Sequence, residues 1–222
     1  RQRQMCIRDS AYTTDGALRV YENCFGWQAG TCRLVPVWRS GGIYGADNAE
    51  IGAEITAEGK AVVCTAEPTA ESFFLFGISP ALCLSGHKHH LADYKYLNFR
   101  LKSDKEARFL GVVARSADGE VFRFDLMNGE AKEYDSLPLG CEFEDFSVCL
   151  ETGVRGDLAA LGFSEEQRKN FVQAEFLFRA KEPVKVWLRA VTLSDLNRSK
   201  RRETAAERVE ARGDTQLPEA GS

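Results

Sequence analysis

"RFLGVVARSADGEVFRFDLM", residues 108–127, is the stretch whose reading decides the fold class. In its second half Phe122, Phe124 and Leu126 alternate with Arg123 and Asp125, the two-residue period of a strand that buries one face. The two halves are joined by Ala117, Asp118 and Gly119, and glycine accepts the positive φ that a tight hairpin turn requires. An antiparallel hairpin therefore sits at the middle of the chain.

The same punctuation runs outward in both directions. "AEITAEGKAVVCTA" (53–66) is two extended runs about a Glu58-Gly59 turn, and "SFFLFGIS" (72–79) is a third, apolar throughout. "YKYLNFRLKS" (94–103), "EFEDFSVCLE" (142–151), "NFVQAEFLFRA" (170–180) and "PVKVWLRAVTL" (183–193) continue the pattern. Eight or nine strands separated by turn residues predict an all-β fold, an antiparallel jelly-roll β-sandwich. One short helix interrupts it: in "FSEEQRKN" (163–170), Ser164 is an N-cap with Gln167 three residues on, the spacing of a capping box.

The chain has 222 residues, enough for one domain with a real core. Residues 1–10 lack an apolar period and resemble translated adapter sequence at the ends of environmental gene predictions, so they are set aside as an artefactual or disordered leader. The sandwich is expected over 11–196. Residues 197–222 have almost no apolar face to bury and read as a disordered linker or tail, one that can lead to a covalently linked neighbouring domain. With 29 Lys and Arg against 33 Asp and Glu, the formal charge is −4. That balance argues against nucleic acid, whose binding draws on phosphate neutralisation. No run of about 18 apolar residues is present to span a membrane. Once Cys6 in the leader is set aside, six cysteines remain, an even number that permits disulfides, but none is spaced C-x-x-C. Cys64 and Cys149 read as small apolar residues on strands.

Four stretches together resemble a known group. "YENCFGW" (21–27), "LADYKYLNFRLKSD" (91–104), the hairpin "FLGVVARSADGEVFRFDL" (109–126) and "VKVWLRAVTLSDL" (184–196) are similar, in order, to the opening Gly-Trp segment, the Y-x-x-L-x-F strand, the central hairpin and the closing strand of galactose-binding-like β-sandwich domains. That group includes many carbohydrate-binding modules appended to glycan-degrading enzymes. The resemblance implies a non-catalytic jelly roll that binds sugar on a sheet face or on end loops, in an extracellular or cell-surface setting. It also implies a structural calcium, for which this chain shows no clear acidic loop.

Splitting each strand into its two faces yields candidate binding residues independently of that resemblance. Val184, Val186 and Leu188 oppose Lys185, Trp187 and Arg189, so Trp187 is a large aromatic on the polar face of its strand, flanked by cations. A sugar site needs a flat ring to stack on pyranose C–H groups and planar polar side chains to bond the hydroxyls. Trp187 with Arg189, Arg123, Asp125, Asn98 and Gln173 supplies that chemistry if their strands share a sheet. If they do not, Trp187 packs beneath a loop or the tail and the cations pair with Glu175 and Asp125. Trp27, Trp38 and Tyr44 are further aromatic candidates.

All three histidines fall within 87–90. His87 and His89 form an H-x-H half-site for metal, with Asp93 as the accompanying carboxylate, but the chain has no further histidine to complete the set. The segment reads as a polar connector. Two Arg-Gly-Asp tripeptides, at 155–157 and 212–214, are short enough to arise by chance. The leading expectation is thus a glycan-binding module rather than an enzyme. A metal-dependent jelly-roll enzyme on His87, His89 and Asp93, and a spacer or interaction domain without a small ligand, remain the alternatives.

Overall fold

The computed structural model describes residues 18–19, 32–34, 37–39, 42–44, 49–67, 74–80, 91–116, 118, 120–155 and 161–202. In chain order the strands are β1 (Leu18–Arg19), β2 (Cys32–Leu34), β3 (Val37–Arg39), β4 (Gly42–Tyr44), β5 (Ala49–Thr56), β6 (Gly59–Ala66), β7 (Phe74–Pro80), β8 (Tyr96–Ser103), β9 (Ala107–Ser116), β10 (Val121–Asn128), β11 (Ala131–Glu133), β12 (Leu137–Pro138), β13 (Glu144–Arg155), β14 (Leu161–Gly162), β15 (Phe171–Ala180) and β16 (Val184–Ser194). A 3-10 turn at Leu91–Asp93 and helix α1 at Glu165–Lys169 are the helical pieces among the described residues. The predicted capping box is present: the Gln167 amide donates to Ser164 Oγ at 3.2 Å and the Ser164 amide to Gln167 Oε1 at 2.9 Å.

All described strand pairs are antiparallel. One hydrogen-bonded path runs β2-β7-β15-β9-β10-β13-β8-β16-β6-β5. Ring contacts show that the path folds over on itself. Phe99 of β8 meets Phe109 of β9 at 5.2 Å and Phe176 of β15 at 4.8 Å, both edge to face, and Phe109 meets Phe146 of β13 at 5.5 Å. Thus β8 and β13 face β9 and β15 across a common core, the two-layer arrangement of a jelly-roll sandwich. Each such ring pair contributes about 0.5–1.5 kcal/mol beyond the area it buries.

The path turns at β10 and β13. Phe124 lies opposite Gly153 but Asp125 lies opposite Cys149, so residues 150–152 bulge from β13 at the corner. A Cβ on Gly153 would stand 2.2 Å from the Arg123 carbonyl oxygen, which is why glycine occupies this point of closest approach. Phe122, Phe124, Phe163 and Phe171 pack this end of the core, with ring centroids 5.3–6.1 Å apart.

Strand parity decides which side chains enter the core. Leu97, Phe99 and Leu101 of β8, Ala174, Phe176 and Phe178 of β15, and Val184, Val186 and Leu188 of β16 are all buried. On β16 the parity then changes: Ala190 takes φ 50°, the register slips between Arg189 and Thr192, and Val191 and Leu193 return to the core. Cys64 and Cys149 are buried free thiols on β6 and β13, and burial pushes the Cys64 thiol up to about 12, so it behaves as an apolar residue. Cys141 is free and exposed.

From sequence the domain ends at Leu196; in the structure the chain stays on the sandwich as far as Arg202. The Arg198 amide donates to Asn98 Oδ1 at 3.2 Å, the Ser199 amide to Ser147 Oγ at 3.0 Å and the Arg202 amide to Asn128 Oδ1 at 2.7 Å. The Arg202 guanidinium bonds Glu144 at 3.1 Å and the Asp145 carbonyl at 2.6 Å, and its central carbon sits 3.9 Å from the Phe146 ring centroid. Residues 197–202 are therefore anchored by polar groups, which leave no trace in an apolar period. Residues 1–10 and 203–222 lie outside the described residues.

Two stability tests follow from this packing. Phe99→Ala, emptying the middle of the ring cluster, is expected to cost about 3–5 kcal/mol in urea unfolding. Arg202→Ala is expected to cost about 1–3 kcal/mol, the range for losing bonds from a charged donor. An unchanged unfolding midpoint for Arg202→Ala would show that the docked segment adds nothing.

Candidate binding face

Directly opposed residues of antiparallel strands share a face, so the register assembles the surface row by row. Trp187 of β16 lies opposite Lys102 of β8 on one side and Val63 of β6 on the other, with Gly52 of β5 beyond Val63. Arg189 lies opposite Arg100, and Arg100 opposite Asp145 of β13. The other parity of β6, β16, β8 and β13 fills the core, so both rows lie on the outer face of the layer that β5 completes at its edge.

Trp187 is half-buried, and its indole N–H donates to the Glu54 carboxylate of β5. The Lys102 ammonium lies 4.9 Å from the centroid of the Trp187 ring and 4.9 Å from that of Phe143. The guanidinium carbons of Arg189 and Arg100 stand 5.4 and 5.8 Å from the same Phe143 ring. Two arginines directly opposite each other repel. Glu58, from the β5–β6 turn, relieves this by setting one carboxylate oxygen against both: 3.2 Å from Arg189 Nη1 and in close ion pairing with Arg100 Nη1. Arg100 is further held by Asp145 at 3.5 Å and by the Phe143 carbonyl at 2.6 Å.

Gly59 makes this possible in two ways. Its φ of 113° is open to glycine at little cost, and a Cβ there would lie 3.2 Å from Arg189 Nη2, which crosses directly over the turn. The result is an indole fixed at its polar edge, bordered by planar donors and by carboxylates already oriented through mutual bonds.

The register separates the six residues predicted from sequence. Trp187 and Arg189 come together on this face. Asn98 lies on the same face but is buried, bonding Ser194 Oγ and the Leu196 carbonyl at 3.0 Å each, beneath residues 194–199. Asp125 is also buried, paired with Lys132 at 2.7 Å; this hydrogen bond holds the lysine above its ordinary range. Arg123 lies opposite Val113, which lies opposite Glu175, a row on the other layer. Gln173 belongs to β15 in that other layer, and its side chain is outside the described residues. Arg123 and Asp125 instead line a separate cleft of about 270 Å³ with Glu133 and Tyr134. The sequence-based alternative that the Trp187 cations pair with Glu175 and Asp125 does not match this arrangement, since Arg189 pairs with Glu58.

His87, His89 and Trp27, and the side chains of Trp38 and Tyr44, lie outside the described residues; Asp93 ends the 3-10 turn and is exposed. Among the described residues no three His, Cys, Asp or Glu side chains converge on a common point, and no helix is long and apolar enough to cross a membrane. Of the Arg-Gly-Asp tripeptides, only Arg155 is described, in an ion pair with Glu120.

Phe143, Lys102, Arg100, Glu54 and Glu58 are the members of the face that the sequence expectation did not include. Arg100 was legible as an outward residue of its strand. What was missing was the neighbour relation of β8 and β16, which are about 80 residues apart in the chain and which no local pattern joins.

By sequence the chain matches no protein-family model and no curated protein. Its structure is similar to that of a family 11 carbohydrate-binding module from Clostridium thermocellum in complex with a β-1,3-1,4-mixed-linked tetrasaccharide, at 12% identity and TM-score 0.48, covering 84% of this chain and 96% of that one. It is also similar to the family 30 carbohydrate-binding module of a cellulosomal cellulase of Clostridium thermocellum, at 7% identity and TM-score 0.45, covering 81% and 97%. A third similar structure holds CBM22-1 and GH10 modules of a Clostridium thermocellum endo-1,4-β-D-xylanase complexed with xylohexaose, at 10% identity and TM-score 0.43, covering 80% and 28%.

Proposed function

We propose that this protein is a glycan-binding module that receives sugar on the outer face of the β5-β6-β16-β8-β13 layer, with the Trp187 ring as its stacking surface. The observation that carries this reading is the half-buried Trp187, placed by strand parity outside the core and fixed at its indole N–H by Glu54. A pyranose presents one largely apolar C–H face, which stacks on an indole, and a rim of hydroxyls, which bond planar donors and carboxylates. Glu54 at the indole N–H, and Arg189, Arg100 and Glu58 in the neighbouring row of the same face, supply both kinds of partner.

Prior pairing of these groups favours binding over chemistry. Glu58 is held by two guanidinium groups and Glu54 by the indole, so both carboxylates are fixed in orientation. What they offer is orientation: acceptors and donors ordered before the ligand arrives, which lowers the entropic cost of binding. The same reading makes the chain the targeting part of a larger glycan-active or cell-surface protein.

The test is calorimetric titration with a panel of soluble polysaccharides, repeated with Trp187→Ala. At least one polymer is expected to bind saturably, with affinity falling at least tenfold in the variant while its far-ultraviolet circular dichroism stays that of the parent. Binding that survives Trp187→Ala, or a panel that gives no heat at all, would remove this face as a glycan site and favour a spacer or interaction domain.

A further inference from the structure

We propose that the glycan taken by this face is anionic, with a carboxylate or sulfate group of the sugar seated on the Lys102 ammonium. This rests on the glycan reading above and goes beyond it by naming the class of sugar. Three cations border the Phe143 ring, and they are not equivalent. Arg100 and Arg189 share Glu58, and Arg100 also has Asp145. The Lys102 ammonium instead lies between two aromatic rings, 4.9 Å from each centroid, with no carboxylate partner among the described residues. A ring face attracts a cation but leaves its charge uncancelled and its three N–H donors without a strong acceptor.

Position makes that charge useful. Lys102 is directly opposite Trp187, so a sugar stacked on the indole brings its ring substituents to the ammonium. Lys185 is exposed on the same face two residues before Trp187 and continues the positive strip, while Asp104 beside it is engaged by the Lys185 backbone amide at 2.7 Å. Lys102 is half-buried, and a bond from its ammonium to an anionic group is charge-assisted, stronger than one between neutral groups. A general attraction for polyanions is not the cause, because the whole chain carries a formal charge of −4. The preference must be local, and at physiological salt it acts over roughly 8 Å.

The experiment uses the full 222-residue protein. Affinities are measured for polygalacturonate and alginate as carboxylate polymers, ι-carrageenan as a sulfate polymer, and galactan and mixed-linkage β-glucan as neutral ones. Each is titrated into the parent, Lys102→Gln, Lys102→Arg and Trp187→Ala. The expected result is binding of an anionic polymer at least tenfold tighter than any neutral one, with Lys102→Gln cancelling that margin and Lys102→Arg keeping most of it. Whichever anionic arm binds identifies the group as carboxylate or sulfate. A neutral polymer bound as tightly as the anionic ones, with Lys102→Gln unchanged, overturns the anionic assignment and leaves the glycan site in place. An anionic margin that persists in Lys102→Gln also overturns it, as adhesion located elsewhere. Binding indifferent to Trp187→Ala, or no binding of any polymer, overturns both this inference and the glycan reading.

Discussion

Phe99 and Phe146 in one layer interlock with Phe109 and Phe176 in the other, and the rest of the structure depends on that contact. Because a strand sends alternate residues to opposite sides, committing these phenylalanines inward fixes the parity of β8, β9, β13 and β15 together. β16 pairs with β8 and inherits the constraint: Val186 and Leu188 must go in, so Trp187 must come out. An outward tryptophan on a sheet face has limited apolar surroundings. The Glu54 carboxylate and the Lys102 ammonium hold it in place.

The polar part of the face follows from the same parity. Arg189 and Arg100 are forced to lie opposite each other by the register that sets Leu188 against Leu101. Their repulsion is offset by Glu58, which reaches them only because the β5–β6 turn is tight and because Gly59 leaves room for the guanidinium above it. A single glycine thus links a turn conformation to the electrostatics of the surface. The bulge at Ala190 ends the arrangement: beyond it Thr192 and Ser194 have the outward parity but are buried, as are Asn98 and Ser147, whose side chains bond residues 194–199. The open part of the face therefore stops at Arg189.

Most of the fold was legible in the sequence because its elements are marked locally. The alternation in 121–127, the Glu58-Gly59 turn and the Ser164–Gln167 capping pair each specify an element from a few residues and are found where expected, while Ala117 and Gly119 of the central hairpin turn lie outside the described residues. Trp187 and Arg189 were legible as a pair for the same reason, being two steps apart on one strand. The grouping of Arg123 and Gln173 with them required knowing which strands are neighbours. That information resides in contacts across the core, and Arg123 lies on the other layer. The docked segment 197–202 was read as a tail because its attachment uses backbone amides and one arginine, not a hydrophobic face. One signal was present and unused. The apolar spacing Val184, Val186, Leu188, Val191, Leu193 skips a residue once, which marks the bulge that ends the exposed row.

The central claim is that sugar is received where strand parity leaves Trp187 outside the core. The most direct measurement is nitrogen–proton correlation NMR of the labelled protein during titration with the glycan that binds it, following side-chain as well as backbone signals. The account predicts that the Trp187 indole Nε1–H signal, which reports the bond to Glu54, shifts most, with further shifts confined to residues of β5, β6, β8 and β16 around it. Shifts centred instead on the Arg123, Asp125 and Tyr134 cleft, with the Trp187 indole unmoved at saturation, would contradict it.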